Sequence, residues 1–296
     1  MKQMSVSDYF QVFCSNVRMA NDTVDKIQYR YHQIIKRINL DYYSSSSDSL
    51  HGLYVGSFGR GTEIWTSDID IIVQLPYETY SQFDKYAGNG QSALLQEVKG
   101  VLQKTYSTSY VKADGQVIGI DFADGISFEI VPAFINKDGS SFTYPDTNDG
   151  GSWKTTDPRA EIQAMNDRNV DTNKNLKRLC RMIRTWKETC SVPMNGIIID
   201  TLAYKFIGNY EYKDKSYLYY DYMTRDFFKY LMEIDTEVGY WKAPGSNRYV
   251  WIKGLFQNKA KQAYNKSLEA IDYEAKGMHY SAKSSWREIF GNKFPN

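Results

Sequence analysis

The sequence predicts an α+β fold in two parts, on three observations. Strand-type alternation is confined to the first half of the chain. Helical periodicity dominates after Trp153. Between them, 136–152 is rich in Gly, Asp, Asn and Ser. The boundary is placed near 150, so that residues 1–150 form a sheet-based core with a long N-terminal helix and 151–296 form a helical lobe. At 296 residues, 42% hydrophobic and 24% charged, the chain is long enough for two domains and fits a soluble globular protein with a sizeable core.

The first element is an amphipathic helix over 22–40, capped by Asp22 or Thr23, with Val24, Ile27, Tyr31, Ile34, Ile35 and Ile38 at helical spacing. The serines 44–47 read as a loop. Strands follow and end at Pro76. Gly88-Asn89-Gly90 breaks the chain before a helix over 92–103, and two or three strands lie between Tyr110 and Phe134. Residues 136–152 read as a long loop. Beyond it, Asp157-Pro158 opens a helix, and further helices cover 173–189, 197–210 and 258–276. Trp286, Ile289, Phe290 and Phe294 are expected to dock the C-terminal end. No internal repeat is present.

Bulk properties narrow the function classes. A formal net charge of +1 argues against wholesale wrapping by nucleic acid. Cys14, Cys180 and Cys190 are odd in number and lack metal-type spacing, which fits small core residues in a reducing cytoplasm. The three histidines are scattered and suggest no imidazole site. No apolar run reaches about 18 residues and no signal-peptide pattern opens the chain, so no membrane association is expected.

Chemistry concentrates between Leu53 and Val73. Asp68 and Asp70 sit one residue apart on a predicted strand, so their side chains share a face while Ile69 and Ile71 enter the core. Two adjacent carboxylates repel, and a hard divalent cation held by oxygens is the usual reason to place them together. Ahead of them, Gly56 allows close backbone approach to a ligand and Ser57 offers a hydroxyl and an N–H, a pairing suited to phosphate. The stretch is neither the phosphate loop of ATPases, since no Gly-Lys-Ser/Thr follows, nor a dinucleotide fingerprint. Two magnesium ions beside a triphosphate, with manganese able to substitute, would align a nucleophile with phosphorus and stabilise the leaving oxygen.

Such a site needs a third carboxylate. Asp124-Gly125 reads as a hairpin turn between two alternating runs, and the second run, ended by Pro132, puts Phe128 and Ile130 on one face and Glu129 on the other. A two-residue turn there would pair the rival Asp121 with Phe128 and face it away from Glu129, so Glu129 is preferred. In the second half, Lys174, Lys177, Arg178, Arg181 and Arg184 line one side of a helix with no acid between Asp171 and Glu188. Cations without acids at i,i+4 are expected to be spare for a triphosphate, chiefly Arg181 and Arg184.

Gly56-Ser57, then Asp68-Ile69-Asp70, then a third acid before Val131-Pro132 resembles the DNA polymerase β-type nucleotidyltransferases. Trp153, Asp157-Pro158, the helix from Arg178 to Lys187, the segment 247–252 and the closing Trp286, Phe290, Phe294 and Pro295 are similar to the CD-NTases, bacterial relatives of cyclic GMP-AMP synthase. The resemblance implies a two-lobed nucleotidyltransferase fold with a mixed sheet, whose helical lobe closes the nucleotide pocket. It implies synthesis of a cyclic oligonucleotide second messenger from nucleoside triphosphates, releasing pyrophosphate, in anti-phage signalling. It also implies a monomeric core with operon-encoded regulators and no stable nucleic-acid partner. The chain departs from the family's pattern in carrying Glu129 for the commoner Asp, and Arg184 and Gly196 where a Lys and a Ser often meet the triphosphate. The competing readings are an RNA terminal nucleotidyltransferase of the poly(A) type, a small-molecule nucleotidyltransferase and a non-catalytic nucleotide-binding module.

Overall fold

A computed structural model describes residues 5–66 and 68–296. Helix α1 (Val6–Asn16), which the sequence reading did not anticipate, opens on a capping box. The Ser5 hydroxyl accepts from the Asp8 N–H at 3.4 Å and the Asp8 carboxylate from the Ser5 N–H at 2.8 Å. Helix α2 (Asn21–Tyr43) is the expected amphipathic helix, but it starts ahead of Asp22 and Thr23. Ala20 takes the cap position without a side-chain hydrogen bond.

Strand β1 (Gly52–Tyr54), the short α3 (Gly56–Arg60) and β2 (Ile69–Gln74) carry the motif, and α4 (Tyr77–Asp84) begins after Pro76. Helix α5 (Gly90–Gln103) is capped by Asn89, whose Oδ1 accepts from the Ser92 N–H at 2.8 Å. Strands β3 (Tyr110–Asp114), β4 (Val117–Asp121) and β5 (Ser127–Ile135) follow. The stretch expected to be a loop instead holds β6 (Phe142–Asp146) and β7 (Ser152–Thr156), an antiparallel pair added to the end of β5. Its turn-forming composition reflects the connections on either side of β6. Nor does Pro132 end β5. It occupies the interval between the β4 pairing, whose last partner is Ile130, and the β6 pairing, whose first is Phe134, so its missing N–H leaves no ladder bond unmade.

The helical half comprises α6 (Pro158–Asp171), α7 (Asn175–Cys190), α8 (Gly196–Gly208), α9 (Tyr220–Met232), the hairpin β8 (Tyr240–Lys242) and β9 (Tyr249–Trp251), α10 (Gln257–Ala275) and α11 (His279–Phe290).

The chain divides into two compact units. One comprises Met19–Arg60 and Thr66–Ile162; the other comprises the described residues up to Arg18, Gly61–Trp65 and Gln163–Asn296. The division falls inside α6 rather than at 150, and α1 belongs with the helices. The first unit holds a mixed sheet in the order β1-β2-β5-β4-β3, extended through β6 and β7, in which, among the described residues, only β2 and β5 run parallel. Ile69, Ile71 and Val73 of β2 share a core with Ile34, Ile35 and Ile38 of α2 and Leu94, Leu95 and Val98 of α5. The fold is therefore α+β, as the alternation predicts.

The second unit is built around α7, whose Leu176, Leu179, Ile183 and Trp186 are buried as their spacing predicts. Phe10 and Phe13 of α1 complete an aromatic cluster with the C-terminal end: ring centroids are 5.2 Å apart for Phe10 and Trp286 and 4.4 Å for Phe13 and Phe290. Sinking these rings is what ties α1 to the helical unit.

Candidate active site

The sheet unit brings together five of the residues singled out by sequence. Strand β1 ends at Tyr54. Val55 then donates its N–H to the Asp70 carbonyl at 2.9 Å, which lays the Gly56-Ser57 turn against β2. Gly56 adopts φ +58°, and a Cβ built on it would fall on the Asp70 carboxylate. Both facts require glycine here: the left-handed backbone disfavours any other residue, and the carboxylate occupies the space of a side chain. Ser57 is buried at the start of α3.

Asp70 and Glu129 are register partners across the parallel β2–β5 ladder, so two carboxylates stand side by side. Burial first, then the charges of Asp70 and Asp68, raises the proton affinity of Glu129, which also shares a side-chain hydrogen bond with Asp70. Asp68 is raised as well, by burial and then by Asp121.

That last cause overturns one sequence expectation. The β4–β5 connection uses three residues, Ala123 to Gly125, not two. Phe122 N–H donates to the Ile126 carbonyl and Gly125 N–H to the Phe122 carbonyl, each at 3.0 Å, with Gly125 at φ +82°. The extra residue shifts the register by one. Asp121 faces Ser127, which donates its hydroxyl to Asp121 Oδ1 at 2.7 Å, and Gly119 faces Glu129. Asp121 and Glu129 therefore share a face. With Asp68 and Tyr110 they line a cavity of about 270 Å³. Nothing in the sequence marks the third loop residue, since Asp-Gly is compatible with both loop lengths.

Arg181 and Arg184 lie in the other unit. Arg181 Nη2 pairs with Glu63 Oε1 at 3.1 Å and donates to the Gly61 carbonyl at 2.6 Å. Arg184 is buried, and its Nη2 meets Asp200 Oδ2 at 2.7 Å and the Gly196 carbonyl at 2.9 Å. Thr62 donates to the same Asp200 oxygen at 2.9 Å. The expectation that these cations are spare is corrected. Their acids come from remote segments, which the i,i+4 rule does not see.

The carboxylate set fits a hard divalent cation: all donors are oxygens, and the proton affinities of Asp68 and Glu129 are raised by burial first and then by neighbouring carboxylates, both of which a bound cation would offset. Among the described residues, no three such side chains already stand at metal-ligating spacing.

A model of the "Second Messenger Oligonucleotide or Dinucleotide Synthetase domain" matches residues 4–169. A Bacillus cereus (strain VD146) protein named "Probable cyclic nucleotide synthase" is 29% identical over 192 residues, 57% of this chain and 52% of that protein. The match thus spans about half of that curated relative's length. Among solved structures, Escherichia coli MS115-1 CdnC, in its HORMA-deltaN complex, has a TM-score of 0.69 at 14% identity, covering 98% of each chain. Bradyrhizobium diazoefficiens CD-NTase CdnG, in complex with GTP, has 0.66 at 12% identity, covering 98% of this chain and 95% of that one. Vibrio cholerae DncV, titled a cyclic AMP-GMP synthase, has 0.63 at 15% identity, covering 98% and 87%. At these identities the structures speak to the fold, and they agree on the mixed sheet with a helical half. With the synthetase model matching more than half of its length, over the segment that carries the Gly-Ser turn and Asp68, Asp70, Asp121 and Glu129, the chain belongs to the Second Messenger Oligonucleotide or Dinucleotide Synthetase family, the bacterial CD-NTases.

Proposed function

We propose that the protein joins nucleoside triphosphates into a cyclic oligonucleotide second messenger with release of pyrophosphate. The observation that carries this reading is the apposition of Gly56 to Asp70 and of Asp70 to Glu129, which sets the Gly-Ser turn directly against adjacent carboxylates. Asp68, Asp70 and Glu129 are the residues to hold magnesium, two ions with manganese able to substitute. When bound, the metal supplies charge neutralisation for phosphoryl oxygens and for the leaving group.

The chain's own groups account for the rest. The N–H and hydroxyl of Ser57 donate to the donor nucleotide's phosphates, and Gly56 admits their close approach. A Glu129 carboxylate oxygen, with its raised proton affinity, takes the proton of the attacking ribose hydroxyl. The new bond forms from that oxygen to the α-phosphorus, the α–β bridge breaks, and pyrophosphate departs. A second transfer within the linear product closes the ring. Arg181 and Arg184 act by fixing the Gly61–Glu63 and Gly196–Asp200 segments through their ion pairs.

The reading includes action on free nucleotides in the bacterial cytoplasm, in anti-phage signalling and under the control of an operon-encoded regulator. No helix among the described residues is long and apolar enough to cross a membrane. Incubation with all four nucleoside triphosphates and magnesium, without RNA, followed by phosphatase and mass spectrometry, tests the function. A phosphatase-resistant cyclic product is expected. Product appearing only on an added RNA 3′ end would replace this reading with terminal nucleotidyl transfer. Replacing Asp68 and Asp70 together with Ala should lower turnover at least on the order of 10²-fold.

A further inference from the structure

We propose that the helical unit carries a separate binding site for small oligophosphates, in the cavity between α1 and α7. The cavity has a volume of about 440 Å³, and every residue lining it belongs to the helical unit. Arg18, Lys174, Lys177, Arg178 and Arg181 line it, and no Asp or Glu does. None of the carboxylates or phosphate-turn residues of the sheet unit contributes to it.

The cations differ in what holds them. Arg181 is matched by Glu63, which stands outside the lining. Arg178 is aimed by neutral groups: its Nη1 donates to the Tyr220 hydroxyl at 3.0 Å and its guanidinium lies 4.9 Å from the centre of the Tyr217 ring. Lys177 donates to Asn166 Oδ1 at 2.6 Å, again a neutral partner. Gly61, at φ +66°, makes room for that ammonium, since a Cβ there would stand 2.9 Å from Nζ. Burial, and then the charge of Arg181, lowers the proton affinity of Lys177, as expected of an ammonium drawn partly out of water beside a like charge. Arg18 and Lys174 have no carboxylate within ion-pairing distance among the described residues. Four positive charges thus face one cavity whose lining holds no carboxylate; Lys177 and Arg178 are half-buried and Arg18 and Lys174 exposed at its rim, an arrangement that an entering anion would stabilise.

Volume and chemistry narrow that anion. The cavity falls in the range of sites for small molecules, about 300–1,000 Å³, and is too large for a single phosphate. Arginine forks match phosphate oxygens two at a time, while the lysines supply point charges. A chain of phosphates, free or carried by a nucleotide, meets both. Its binding would bridge α1 to α7 and stabilise the helical unit by mass action.

The test titrates inorganic triphosphate, ATP and citrate into the full chain in EDTA, reading heat and melting temperature. Triphosphate and ATP should bind with an affinity that falls as salt rises, raise the melting temperature, and outcompete citrate. Equal affinities would identify the phosphate chain as the recognised part; tighter ATP binding that Arg18→Glu also weakens would add its nucleoside, whereas ATP binding that this variant leaves unchanged would belong to the Gly56-Ser57 turn and count against the proposal. Arg18→Glu and Lys177→Gln should each weaken binding about tenfold or more, and Arg18→Ala, at an exposed position, gives a milder loss without risk to folding. The Asp68→Asn/Asp70→Asn variant should bind as the natural chain does. No binding at millimolar triphosphate, equal binding by the pocket variants, loss of binding in the carboxylate variant, or citrate binding as tightly as triphosphate would each overturn the proposal.

Discussion

Replacing Gly56 by Ala isolates the contact on which the site depends. The added methyl faces two costs. At φ +58° an L-residue pays about 1–2 kcal/mol of backbone strain. Because the Cβ falls on the Asp70 carboxylate, that side chain must also move from its place beside Glu129. The strain alone predicts a melting temperature lower by about 2–8 °C. Displacement of a carboxylate by about 1 Å at a reacting centre predicts a loss of turnover on the order of 10²-fold, or ~2.7 kcal/mol of activation free energy. Gly139→Ala is the matched control, since Gly139 has φ +71° and nothing within 4 Å of a built Cβ. It should lose comparable stability and keep its turnover. Pyrophosphate release and thermal melting, measured on both variants, separate strain from displacement. Turnover by Gly56→Ala within threefold of the natural chain, or an equal loss in Gly139→Ala, would show that the site does not depend on the close approach of Gly56 to Asp70.

Three further outcomes follow from named contacts. Arg184→Ala leaves Asp200, which is 0% exposed, without its buried cation and should destabilise the protein by about 3 kcal/mol or more in a denaturant titration; the double change Arg184→Met/Asp200→Leu should recover most of that, and a loss equal to the single variant's would count against the ion pair. Asp221 is pushed by burial to about 6 from 3.8, so the folded state favours its protonated form; the resulting penalty is absent below about pH 4, grows as pH rises to 6 and is complete above it. Asp221→Asn should therefore stabilise the chain at pH 7.5 by up to about 3 kcal/mol while changing nothing at pH 3.5, and a pH-independent effect would remove burial as the cause. Magnesium or manganese should raise the melting temperature by relieving the repulsion around Asp70, whereas Asp68→Asn/Asp70→Asn should melt higher than the natural chain in EDTA and ignore added metal; an equal metal response in the variant would place the ion elsewhere.

Local chemistry made much of the sheet unit legible. Ile69 and Ile71 are apolar, Asp68 and Asp70 are not, and a strand's period of two sorts them to opposite faces without reference to the rest of the chain. The apolar stripe of α7 was readable for the same reason, at a period of 3.6. Where the reading failed, the deciding partner was distant. The loop expected over 136–152 became β6 and β7 because the far end of β5 offered an unpaired edge. The start of α2 moved because helix ends are weakly specified by any single residue.

From the sequence come the α+β character and the family, because periodicity and motif spacing are properties of short segments; from it too come the proposals that Asp68 and Asp70 share a face and that Glu129 is the third acid. Tertiary contacts supply the rest: one additional loop residue turns Asp121 to the face of Glu129, Arg181 and Arg184 answer Glu63 and Asp200 from elsewhere in the chain, and Arg18, Lys174, Lys177 and Arg178 meet around a cavity whose lining, among the described residues, holds no acid. Charge compensation acts through space, over a few ångströms and without regard to sequence separation, so the pattern of charges along the chain does not reveal which of them are met.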